Sequence, residues 1–103
     1  MGYYTDYKLS VDPHLDLEDE LKDMTGYDFY LVGNLVLYYE LDYAKWYNSD
    51  VDMQTLSLRY PAHLFTLGGV GEEDDDLWRI YYKNGVSQEH KAKIVFPEYN
   101  PNV

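Results

Sequence analysis

Leu64-Phe65-Thr66-Leu67-Gly68-Gly69-Val70-Gly71 is followed by five acids, Glu72-Glu73-Asp74-Asp75-Asp76, and then by Leu77-Trp78-Arg79-Ile80-Tyr81-Tyr82-Lys83-Asn84-Gly85-Val86. Asn-Gly between β-prone residues favours a two-residue type I′ hairpin turn. With the apolar run Ile94-Val95-Phe96, the stretch predicts three consecutive antiparallel strands. Gly68-Gly69-Val70-Gly71 reads as a flexible or bulged hairpin turn, and the acids continue that turn.

Upstream, residues 3–11 alternate. Tyr3, Thr5, Tyr7, Leu9 and Val11 share one face, and Tyr4, Asp6, Lys8 and Ser10 the other, which predicts a strand with one buried face. A helix follows. Asp12 caps it with Pro13 at its first position, or Asp16 caps one starting a turn later. Leu17, Leu21 and Met24 form its stripe, Asp16, Glu18, Asp19, Glu20 and Asp23 fill much of the rest, and Gly26 ends it. A second strand is expected from Leu35 to Leu41, with Leu35, Leu37, Tyr39 and Leu41 inward and Val36, Tyr38 and Glu40 outward. The phase slips near Asp42-Tyr43, as at a bulge or strand end, because Ala44 and Trp46 are the better buried candidates beyond it. Asn48 or Ser49 caps a second helix with the stripe Met53, Leu56 and Tyr60, and Pro61 stops it.

In the closing strands Trp78, Ile80 and Tyr82 point one way and Arg79, Tyr81 and Lys83 the other. Ala92, Ile94 and Phe96 oppose Lys91 and Lys93, and residues 97–103 form a C-terminal tail. The order is β-α-β-α-β-β-β: one domain over residues 1–103, an α+β two-layer sandwich with an antiparallel-rich sheet and both helices on one face, ferredoxin-like in arrangement. The expected core is Leu9, Leu21, Leu37, Trp46, Met53, Leu56, Phe65, Leu67, Trp78, Ile80 and Ile94.

Nineteen acids against 8 bases leave a formal charge of -11 and a pI near 4.3. Such a charge argues against nucleic acid or an anionic membrane as a direct ligand and suits a basic partner protein. No cysteine is present, which removes thiol catalysis and cysteine metal sites. No apolar run approaches a membrane span and no basic-then-apolar leader opens the chain, so a soluble protein of the host-cell cytoplasm is expected.

No catalytic or metal constellation emerges. The run Glu72 to Asp76 lacks the alternate spacing of a calcium loop. His14, His63 and His90 are far apart, unlike zinc ligands. Ser10, Ser49, Ser57 and Ser87 have no nucleophile-elbow context. The glycine run lacks the Lys-Ser/Thr of a phosphate loop. The expectation is a non-enzyme without cofactor or metal.

Lys45-Trp46-Tyr47, Asp52-Met53, Leu56-Ser57, Tyr60-Pro61, Leu64-Phe65-Thr66-Leu67, Gly71-Glu72-Glu73, Asp76-Leu77-Trp78 and Tyr81-Tyr82-Lys83-Asn84-Gly85 resemble small phage and mobile-element proteins similar to the YubB-type ferredoxin-like family. The resemblance covers residues 45–85 and supplies no catalytic residues. It implies a ferredoxin-like fold and a phage or mobile-element source.

Two functions are compatible with this. One is a small acidic inhibitor of a host or defence nucleic-acid-binding protein, anti-CRISPR-like or DNA-mimicking, that occupies a basic surface. Its contacts would be Asp16, Asp19, Glu20 and Asp23, with Glu72, Glu73, Asp74, Asp75 and Asp76. Tyr4, Tyr38 and Tyr81 on the open sheet face are secondary candidates for a partner contact or homodimer. The alternative is a small-molecule module with a pocket between helices and sheet near Trp46 and Trp78.

Overall fold

A computed structural model describes residues 4–33, 36–72, 76–92 and 97–102. The elements in chain order are β1 (Thr5–Asp12), α1 (Glu18–Thr25), β2 (Tyr30–Val32), β3 (Tyr38–Ala44), α2 (Ser49–Arg59), β4 (Leu64–Gly71), β5 (Leu77–Lys83) and β6 (Val86–Lys91). They form an α+β fold whose six strands make one antiparallel sheet in the order β2-β3-β1-β4-β5-β6.

The alternation in β1 is as expected: Thr5, Tyr7, Leu9 and Val11 are buried. Tyr39 and Leu41 of β3, Phe65 and Leu67 of β4, and Ile80 and Tyr82 of β5 complete the same buried face. Leu17 and Leu21 of the first helical region and Met53 and Leu56 of α2 close over it, in one continuous core. Both helices therefore cover one side of the sheet. Leu37 and Trp78 are half-buried rather than fully buried, and Ile94 lies outside the described residues.

The phase slip is a bulge. Thr5 pairs with Ala44 but Tyr7 pairs with Leu41, so Asp42 and Tyr43 oppose Asp6 alone. Tyr43 takes φ 53 there, and its N–H donates to Asp6 Oδ1 at 2.6 Å. The Asn84-Gly85 turn is also as expected, with both residues at positive φ and Tyr82 paired with Ser87.

Five expectations are corrected. First, neither Asp12 nor Asp16 caps α1, which starts at Glu18 without a side-chain cap. The approach is held instead by Tyr39, whose hydroxyl accepts the Leu17 N–H at 2.9 Å and donates to the Leu15 carbonyl at 2.6 Å. Second, a short strand, β2, precedes β3, giving one strand more than expected, and β3 begins at Tyr38 instead of Leu35. Third, Gly68-Gly69-Val70-Gly71 is no turn. It is the second half of β4, paired to β1 at every position. A Cβ on Gly69 would meet the Trp78 ring at 2.1 Å, so the missing side chain admits the indole. Fourth, the strand after the hairpin is Val86–Lys91, every residue of it exposed. Fifth, Lys91 pairs with Trp78 and so shares the helix-covered face, not the open one. Lys93 to Phe96, like Tyr3, Asn34 and Leu35, lie outside the described residues.

Candidate functional site

The first helical region concentrates carboxylates because its outward positions are almost all acidic. Asp16 is 98% exposed along its side chain, and Glu18, Asp19 and Asp23 are exposed as well. Lys22, the one base of α1, is engaged by Asp28 at 3.1 Å and by the Gly26 carbonyl at 3.2 Å. Asp16 lies 3.4 Å from His14 Nε2.

Glu20 stands apart from its neighbours. It turns inward and accepts from the Tyr60 hydroxyl at 2.6 Å and from Arg59 Nη1 at 2.8 Å, joining α1 to the end of α2. Partial burial pushes its carboxyl up, but the bonds from Tyr60 and Arg59 and the Arg59 charge outweigh that and hold it below the ordinary value. Glu20 is thus a structural link between the helices.

Of the second acidic region, Glu72 and Asp76 are described, and Glu73, Asp74 and Asp75 lie outside the described residues. Glu72 Oε1 accepts the Tyr4 N–H at 2.8 Å, and the Asp76 carbonyl accepts the Gly71 N–H at 2.8 Å. Because Asp12 pairs with Leu64 and Thr5 with Gly71, Glu72 leaves the sheet at the end opposite the entry to α1. Glu72 therefore lies at the end of the sheet opposite the one where the α1 acids begin.

The acids of α2 serve packing. Trp46 Nε1 donates to Asp52 Oδ2 at 2.7 Å, and the Tyr82 hydroxyl donates to Asp50 Oδ1 at 2.9 Å. Trp46 is 4% exposed, edge-on to Tyr7 and Phe29, and embedded in the core. The concavities that run past Trp78 do not reach Trp46.

The larger of these concavities, 790 Å³, lies mainly on the open side of the sheet. Its lining includes Lys8 of β1, Glu40 of β3, Gly68 of β4, and Arg79 and Tyr81 of β5. Register sets Glu40, Lys8, Gly68, Arg79 and His90 side by side in one row across five strands. The neighbouring row carries Tyr38, whose ring lies 5.3 Å from Lys8 Nζ, and Tyr81, whose hydroxyl lies 3.4 Å from Arg79 Nη1. Tyr4 is placed differently: its ring stacks on Tyr43 at 4.1 Å beside the bulge, with Lys45 Nζ 4.4 Å from it.

Alternation alone already puts Lys8 and Arg79 outward. What it does not supply is the register that sets them on either side of a glycine. Among the described residues, no cluster of three or more acids or histidines is placed to hold a metal ion, and no helix is long and apolar enough to cross a membrane. No family model matches the chain, and no curated protein and no solved structure matches it.

Proposed function

We propose that the protein is an acidic interaction protein that occupies a basic surface on a partner, of the kind that binds nucleic acid. The observation that carries this reading is the outward face of α1. Over the eight residues of α1 it presents Glu18, Asp19 and Asp23, while Glu20 turns inward to Arg59 and Tyr60. At about 1.5 Å per residue, that is roughly one outward carboxyl per 4 Å of axis, comparable with the roughly 3.4 Å phosphate spacing of one DNA strand. Asp16 extends the series, and Glu20 anchors it to α2 through Arg59 and Tyr60. A fixed helix loses little freedom when a partner docks, which favours affinity.

The ferredoxin-like reading of the fold rests on the succession β1-α1-β2-β3-α2-β4 and the neighbour order β2-β3-β1-β4, the split βαβ arrangement, with β5 and β6 added beside β4. Such folds serve many functions, so the function is argued from the surface. The resemblance of residues 45–85 to YubB-type proteins extends the proposal to a phage or mobile-element inhibitor of a host or defence protein, anti-CRISPR-like in its logic.

The experiment compares wild type with Asp16→Asn/Asp19→Asn/Asp23→Asn as bait in bacterial lysate at low and moderate salt. Glu20 is left intact because it holds the helices together. Wild type is expected to retain a basic protein that moderate salt releases, since exposed charges are screened over about 8 Å at physiological ionic strength. The triple variant is expected to retain far less. Equal retention by both baits at both salts would overturn the proposal.

A further inference from the structure

We propose that the open face of the sheet is a binding site for a small organic anion, with the ligand's carboxylate or phosphate seated over Gly68 between Lys8 and Arg79, and its apolar body on Val70 and Leu77. Gly68 pairs with Lys8 on one side and with Arg79 on the other. Strands are spaced about 4.8 Å apart, so the two cationic residues start roughly 10 Å apart at their Cα atoms with no side chain between them. That gap accommodates one oxyanion that accepts from both.

The charge arrangement supports an anion. Among the described residues a carboxylate within ion-pair distance is the exception for a base, and Lys45, Lys83 and Lys91 lack one just as Lys8 and Arg79 do. Lys22 and Arg59 each have one within 4 Å. Among the described residues Lys8 and Arg79 have none: Lys8 lies near the Tyr38 ring with Glu40 opposite it in the ladder, and Arg79 lies near the Tyr81 hydroxyl with His90 opposite it. Three acids also line the hollow: Asp6 accepts from the Tyr43 N–H, Asp42 from the Tyr30 hydroxyl, and Glu40, which faces Lys8 across the β1–β3 pair, makes no ion pair with it and stands beside the Tyr30 hydroxyl. Charge-assisted bonds from Lys8 and Arg79 thus remain to be made, and these are the strong ones.

The occupant's size and nature follow. The hollow measures 790 Å³, within the roughly 300–1,000 Å³ usual for small-ligand sites. Val70 and Leu77 are cross-strand partners in the next row, and Val70 is 48% exposed, an apolar seat for the ligand's body. A polyanion is disfavoured by the chain's net -11, and a second copy would carry the same net charge. One small anion with an apolar body meets neither objection.

The test is a titration of isotope-labelled protein, followed by amide chemical shifts, with phenyl phosphate, benzoate, neutral benzamide and inorganic phosphate. Saturable shifts at Lys8, Gly68, Val70 and Arg79 are expected with phenyl phosphate or benzoate, and whichever binds tighter identifies the head group. Benzamide and inorganic phosphate should each bind at least about tenfold more weakly, the first lacking the charge and the second the apolar body.

Two variants complete the experiment. Arg79→Gln should weaken the better anion by about tenfold. Gly68→Leu should occlude the seat while folding normally, because a Cβ there meets nothing closer than 3.9 Å. Absence of saturable shifts, benzamide binding as well as the anions, or undiminished binding by a folded Gly68→Leu variant would each overturn the proposal. So would sedimentation showing a dimer that buries these amides.

Discussion

The hydroxyl of Tyr82, a fully buried residue of β5, donates to Asp50 Oδ1 at 2.9 Å and so ties the sheet to the first turn of α2. Asp50 is exposed, so water replaces the lost donor in Tyr82→Phe, and the cost should be about 0.5–1.5 kcal/mol, read as a lower urea midpoint. Burial first, and then the Asp50 hydrogen bond and charge, hold the phenol well above its ordinary 10.0. A raised folded pKa means that the contribution is fully present below the unfolded value and is lost as pH rises beyond it. Wild type should therefore lose stability above about pH 10 more steeply than Tyr82→Phe. Parallel alkaline limbs would show that the phenol is not protected.

Glu20 supplies the opposite limb. Its carboxyl is held below its ordinary 4.5, so its contribution is present above that value and is lost as pH falls through the lowered one. Glu20→Gln should be less stable than wild type at neutral pH, with the gap closing in acid below about pH 4. Thermal unfolding midpoints across pH measure this, and a constant gap would mean that the Arg59 and Tyr60 contacts are not electrostatic in effect.

Leu56 is completely buried beneath α2. Leu56→Ala should cost about 2–5 kcal/mol in denaturant unfolding, a large share of the stability of a small domain. An unchanged midpoint would place the α2 stripe on the wrong side of the helix.

Gly85 combines two demands. Its φ of 79 suits glycine, and an added Cβ would meet Leu58 Cδ2 at 2.8 Å. Its N–H also donates to Ser57 Oγ at 2.9 Å, pinning the hairpin to α2. Gly85→Val should lower the unfolding midpoint more than Asn84→Gly, which keeps the turn backbone accessible. Equal midpoints for the two would argue against the packed turn.

Local pattern carried much of this fold. The Asn84-Gly85 turn, the α2 stripe and the bulge after Leu41 were all legible, because each is encoded in spacing between near neighbours. The α1 start was not, because its organising group is Tyr39, which is 22 residues from Leu17 in the chain. β2 was hidden because Tyr30 and Leu31 are exposed and leave no alternation to detect. The glycine run misled because its reason, the Trp78 ring against Gly69, is a cross-strand relation. The acids of α1 were legible as exposed charges, but the inward turn of Glu20 required knowing where Arg59 and Tyr60 come to rest. The row from Glu40 to His90 exists only once five strands are in register.

β6 has a consequence for motion. Its residues are all exposed, so backbone pairing with β5 holds it, with little apolar burial to add. The Ser57 contact at Gly85 secures its first end, and Ala92, whose N–H donates to the Leu77 carbonyl at 2.8 Å, marks the other. Amide hydrogens of β6 should therefore exchange with solvent well before those of β1 and β4, and opening should run from Lys91 back toward the turn. His90 and Ala92 line the concavity from this strand and just beyond it, so one wall of that hollow is its most easily displaced part. The breadth of the hollow can then follow its occupant while Lys8 and Gly68, in the middle of the sheet, stay fixed.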